Sequence, residues 1–131
     1  LTDYGFSLPS GATVDGIEVV VYGLSAVDGT DPDTTLVGIQ LIVAGSRSGD
    51  DKGDGFQLPT TPGNRTSGGP SDDWSLSLDD SDVNADNFGV AIMLGVEDNR
   101  SAELDTATIE IFYTVGGGGG SILTKLMQMA A

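Results

Sequence analysis

With 131 residues the chain has material for one domain and a small appendage. It contains no Cys and no His, which excludes disulfides, thiolate nucleophiles, His-dependent acid–base catalysis and nitrogen–sulfur metal sites within it. Twenty acidic residues against five basic ones give a formal net charge of −15, a surface that repels nucleic-acid phosphates and anionic membranes.

Taken in chain order, the apolar periodicity predicts strands almost throughout. Tyr4–Leu8 reads as a short strand, followed by a Pro9-Ser10-Gly11 turn. Thr13–Gly23 places Ile17, Val19 and Val21 on one face and Glu18, Val20 and Tyr22 on the other. Ser25–Thr35 reads as a loop, and Leu36–Ala44 alternates again through Val37, Ile39, Leu41 and Val43. Ser46–Asp73 is the longest irregular stretch; its apolar island predicts a short edge strand near Gly55–Pro59, leaving Thr60–Asp73 as loop. Trp74–Leu78 is a weak strand, and Asp79–Asn87 offers Ser81 and Asp82 as caps for one helical turn. Phe88–Leu94 and Thr106–Thr114 are clear alternating strands. Val20, Ile42 and Phe112 lie on faces that periodicity would leave wet, so their strands are expected to be central in a sheet or covered by another chain. Phe6, Trp74, Phe88 and Tyr113 are the expected aromatic core; Trp74 could alternatively be a sugar-stacking platform.

The C-terminus reads differently. Gly116–Gly120 forms a hinge with no side chains to pack, and Ser121 can cap a short helix over Ile122–Ala131. Ile122, Leu123, Leu126 and Met127, with Ala130, share one face of that helix and form the expected assembly interface. Ten residues make a marginal helix in water, so the segment is expected to dock; the alternative is a frayed tail or an expression scar. Strand spacing without a long helix predicts an all-β fold, an antiparallel β-sandwich of jelly-roll or Ig-like type over residues 1–115. A linker at 116–120 and a docking helix at 121–131 complete the domain plan. No apolar run is long enough to span a membrane as a helix.

Candidate chemistry rests on oxygen ligands alone. Asp50, Asp51 and Asp54 in the run DDKGDG have the oxygen density of a calcium loop without the terminal Glu of an EF-hand. Asp28, Asp31 and Asp33, and Asp79, Asp80 and Asp82, are clusters of the same kind; a solvated acidic loop is the default reading of all three. Asn64-Arg65-Thr66 and Asn99-Arg100-Ser101 match glycosylation triplets, which indicate exposed loops. No catalytic residue and no further cofactor is assigned: two acids of a glycosidase pair cannot be chosen among sixteen Asp and four Glu.

Three phrases of the chain, Tyr4–Val19 (YGFSLPSGATVDGIEV), Asn87–Ile92 (NFGVAI) and Ile109–Thr114 (IEIFYT), stand out in wording and order. They resemble a β-sandwich domain recurrent in bacteriophage tail-fibre, collar and other virion-associated proteins. The resemblance implies a structural module of an extracellular virus particle, such as a tail fibre, collar, spike or capsid decoration. It would act without enzymatic chemistry, by assembly with other virion subunits and as a homo-oligomer. In that family a Ser/Thr-rich strand precedes the phrase matched by Leu1–Phe6, so either the given sequence is cut after that strand or a sheet edge is left open there for a neighbour's strand. The alternative is an adhesion module that binds host-surface polysaccharide through Ser46–Asp73. A carboxylate-dependent glycoside hydrolase ranks third.

Overall fold

The computed structural model describes residues 1–26, 35–96 and 101–115, and the backbone of 121–128. The described residues form β1 (Ala12–Ala26), β2 (Thr35–Val43), β3 (Ser46–Ser48), β4 (Phe56–Gln57), β5 (Gly63–Gly69), α1 (Asp80–Asn84), β6 (Gly89–Gly95), β7 (Ala102–Glu103), β8 (Thr106–Val115) and β9 (Ser121–Gln128). The protein is all-β, built on two antiparallel sheets. One sheet has the order β5-β1-β8-β9, with β7 added to the end of β1; the other has β3-β2-β4, with β6 also on β2.

The alternation read from sequence explains which strands are central. Ile17, Val19 and Val21 of β1 and Ala107, Ile109 and Ile111 of β8 are buried, and they lie directly across the ladder as Ile17↔Ile111, Val19↔Ile109 and Val21↔Ala107. Leu36, Ile39 and Leu41 of β2 and Val90 of β6 join the same buried cluster, so one core draws on both sheets. At roughly 1.5–3 kcal/mol for each large aliphatic side chain removed from water, this cluster is the main source of stability. Val20 on β1 and Phe112 on β8 are half-buried. Both strands are flanked on two edges, β1 by β5 and β8, and β8 by β1 and β9. That central placement accounts for apolar residues on the second face.

Residues before β1 keep the expected alternation but not the expected strand. Tyr4, Phe6 and Leu8 are buried between exposed neighbours, yet Asp3 and Gly5 adopt positive φ, which interrupts a pleated ladder. Tyr4 stacks on Phe6 at 5.9 Å between centroids, and Phe6 meets Phe88 edge-on at the same separation. Leu1 runs along β6: its nitrogen donates to the Val90 carbonyl and its carbonyl accepts from the Val90 nitrogen, both at 2.8 Å, with Thr2 bridging to Gly89. A Cβ on Gly89 would collide with the Leu1 carbonyl, so the glycine of NFGV admits the first residues onto this edge. At Gly89 and Val90 this edge of β6 is thus occupied by the chain itself.

Other expectations are also corrected. The Thr60–Asp73 loop contains β5, which pairs with β1 from Ile17↔Gly69 to Leu24↔Gly63; its Gly, Asn, Ser and Thr content hides a strand held by its neighbour's backbone rather than by its own side chains. Trp74–Leu78 is not a strand, because Trp74 and Ser75 both have positive φ. The helical turn forms, with Asp79 as its cap: Asp79 accepts from the Ser81 and Asp82 amides and Asp82 accepts from the Asp79 amide, a complete capping box. Tyr113 is only half-buried, while Phe6, Trp74 and Phe88 are core.

The largest correction concerns the C-terminus. Residues 121–128 are strand β9, not a helix, and extend the first sheet by antiparallel pairing with β8. The physical reason lies in β8, whose second edge offers a full row of backbone partners. A short isolated helix satisfies few of its own amides, whereas an adjacent strand edge satisfies one amide or carbonyl per residue. Gly116–Gly120 and residues 129–131 lie outside the described residues.

Candidate functional site

Two places in the fold gather the residues that sequence singled out. The first is the acidic run at 50–55, which lies along the irregular part of β2. On the edge of β2 away from β6, pairing with β4 ends at Leu36 and pairing with β3 begins at Leu41, and the run fills the gap between them. The Asp51 carboxylate accepts from the Ile39 nitrogen at 3.0 Å and the Gly53 nitrogen at 2.9 Å, the Lys52 nitrogen donates to the Ile39 carbonyl at 2.8 Å, and the Gly55 nitrogen donates to the Leu36 carbonyl. Asp54 accepts from the Phe56 nitrogen and pairs with Arg65 on β5, whose guanidinium stands 4.6 Å over the Phe56 ring. Asp50 accepts from the Ser75 hydroxyl at 2.9 Å.

Lys52 and Trp74 complete a clasp between the sheets. Trp74 is fully buried, and its indole Nε1 donates to the Ile17 carbonyl of β1 at 2.8 Å. The Lys52 ammonium sits 5.0 Å over that ring and 2.8 Å from the Asp72 carboxylate. Asp72 also accepts from the Trp74 nitrogen. The Lys52 hydrogen bond, foremost, holds the Asp72 carboxyl below the usual aspartate range, against an opposing effect of partial burial. Across the Asp79 cap, hydrogen bonds led by that from the Ser81 hydroxyl lower the Asp79 carboxyl in the same way.

Asp50, Asp51 and Asp54 therefore face different partners: Ser75, the β2 backbone and Arg65. Among the described residues no three Asp or Glu side chains converge as ligands for a metal ion. The Asp28–Asp33 cluster and most of the Asn99 triplet lie outside the described residues. Trp74, being in the core, presents no ring face for sugar stacking. No described helix is long and apolar enough to cross a membrane. Sequence reasoning missed the clasp, whose members Lys52, Asp72 and Trp74 are brought together only by the fold.

The second place is the β8–β9 edge. The positions expected to form a docking face, Ile122, Leu123, Leu126 and Met127, stand in register with Phe112, Ile111, Thr108 and Ala107 of β8. β9 is the last strand of its sheet, and among the described residues nothing pairs with its outer edge. Such an edge is a row of amides and carbonyls able to accept another strand.

Comparison of the chain with family models, with curated proteins and with solved structures finds no match.

Proposed function

We propose that this chain is a structural module of a bacteriophage-type virus particle, a β-sandwich of a tail fibre, collar, spike or capsid decoration that works by assembling with other subunits. The β9 edge carries the reading: the larger sheet ends in a strand with one ladder made and its outer edge open among the described residues. The placement of the three resemblance phrases lends further support. Tyr4–Val19, Asn87–Ile92 and Ile109–Thr114 supply Phe6, Phe88, Val90, Ile17, Val19, Ile109 and Ile111 to one core, so the phrases belong to the framework rather than to a variable loop. The charge of −15 keeps free subunits apart at low ionic strength and favours a partner that presents positive charge.

Sedimentation velocity of the intact chain over a range of concentrations tests the reading, with negative-stain microscopy of any large species. Self-association, or a stoichiometric complex with another particle subunit, is the expected result. A monomer at every concentration that also fails to join co-expressed particle subunits would remove the proposal.

A further inference from the structure

We infer that this chain stacks on copies of itself, the outer face of its first sheet against the outer face of the next copy's second sheet, with Arg47 of one copy seated at Glu18 and Glu110 of the other. The inference rests on the assembly reading above and names its partner and its contact surfaces.

Both sheets contribute to one core, so each also has a face turned away from it. On the first sheet that face carries Glu18, Val20 and Tyr22 of β1 with Glu110 and Phe112 of β8, the positions that alternate with the buried ones. Glu18 stands directly across the ladder from Glu110, and like charges facing each other across paired strands oppose one another. Glu18 is in no ion pair among the described residues. Half-buried Val20 and Phe112 and exposed Tyr22 flank the two carboxylates. On the second sheet Ile42 lies between Arg47 of β3 and Gly89 of β6, and the exposed Arg47 guanidinium reaches across to the Met93 sulfur at 2.9 Å. A Cβ on Gly95 would press on Val37 at 2.7 Å, which puts Val37, 53% exposed, on the same face. Asp51, beside Gly38 on this face, is already held by the Ile39 and Gly53 amides. Lys52 pairs with Asp72 and Arg65 with Asp54, so Arg47 is the one cation among the described side chains without a carboxylate. A cation lacking a carboxylate on one sheet thus answers a carboxylate lacking a cation on the other, each set among apolar residues that would keep water from the pair and strengthen it. The two faces turn away from a shared core, so they meet only between copies. A contact between unlike faces leaves one of each kind open at the ends, and the stack can grow.

Sedimentation velocity at rising concentration tests the contact, in salt of about 0.15 M, where the Debye length is about 8 Å and charges remote from the contact are screened. The parent is expected to form a concentration-dependent series of oligomers. Arg47→Glu and Glu18→Arg, each alone, set like charges against each other, and each is expected to raise the dissociation constant about tenfold or more. The two substitutions in one chain exchange the charges and are expected to restore association. Single variants that associate like the parent, or an exchanged pair that stays monomeric, overturn the contact. Thermal melts followed by circular dichroism check that the variants fold. Should a reversal fail to fold, Val37→Glu at its exposed position places a carboxylate on the Arg47 face and is expected to weaken association; parent-like association of that variant overturns the contact as well. Two results sink the stacking yet leave the assembly reading standing: a parent that oligomerises alike with every variant, and a parent that is monomeric alone but joins co-expressed particle subunits. A parent that does neither sinks both.

Discussion

Two antiparallel ladders of this protein, β2–β3 and β8–β9, differ in how their register is fixed. At β2–β3 the reversal is written into two residues, Ala44 at φ 51° and Gly45 at φ 79°, and the returning strand runs directly into the clasp, where the Asp50 nitrogen donates to the Trp74 carbonyl at 2.9 Å. β8 and β9 are joined by eight facing pairs, from Thr106↔Gln128 to Tyr113↔Ser121, against three between β2 and β3. A turn with its own conformational preference fixes the pairing before the strands meet. A longer ladder draws its register from its own facing pairs, so the three-pair ladder depends more on its turn.

The contrast predicts where the molecule is brittle. Trp74→Ala should have the largest effect, about 3–5 kcal/mol of global stability, because it empties a fully buried site and removes a donor to the β1 backbone. Urea denaturation monitored by far-ultraviolet circular dichroism would read it, and a loss under 1 kcal/mol would mean that the clasp does not join the sheets. Next comes Gly45→Val, which puts a β-branched residue in the left-handed region at a loss of roughly 1–2 kcal/mol. A Cβ there would make only ordinary contact with Asn87, at 3.7 Å, so the loss would report backbone conformation rather than crowding. Ala44→Asn should act in the other direction, raising stability by roughly 0.5–1 kcal/mol by completing the preferred Asn-Gly pair of this turn. An Ala44→Asn protein no more stable than its parent would refute the claim that this hairpin is specified by its turn.

How far these differences were legible in the sequence depends on where the stabilising groups reside. β1, β2, β6 and β8 announce themselves because their side chains carry the pattern: Ile17, Val19 and Val21 alternate whatever the neighbours do. β5 was invisible, since Gly63–Gly69 contributes mostly backbone to its ladder with β1, and backbone pairing leaves no trace in residue type. β9 was misread for a related reason. The apolar pairs Ile122-Leu123 and Leu126-Met127 fit a helical period better than strict alternation, and the free edge of β8 that decides between helix and strand is a property of the fold, not of the segment. The clasp was unreadable because Lys52, Asp72 and Trp74 meet only after the chain has turned through β4 and β5. Trp74 and Ser75 show this most clearly, as two consecutive non-glycine residues at positive φ whose conformation is imposed by the Ile17 carbonyl and the Asp50 contact rather than preferred locally.

The smallest expected effect separates the charged part of the clasp from its packed part. The Asp72 carboxyl is held below its ordinary value of 3.8, chiefly by the Lys52 hydrogen bond. A group whose folded pKa is depressed adds stability above its unfolded value, and that stability is lost as pH falls through the folded value. Lys52→Met keeps the stem against Trp74 while deleting the ammonium, so parent and variant should differ at pH 7 and converge as pH drops below 3.8. Asp72 is 38% exposed in its side chain, so solvent screens the pair and the difference at neutral pH is small. Absolute stability is a poor readout, because protonating an excess of carboxylates also relieves self-repulsion across a chain of net charge −15. The difference between parent and variant removes that common contribution. A gap that stays constant from pH 7 to below the aspartate range would assign the work of Lys52 to its contact with the indole, leaving the Asp72 carboxylate no share in holding the two sheets together.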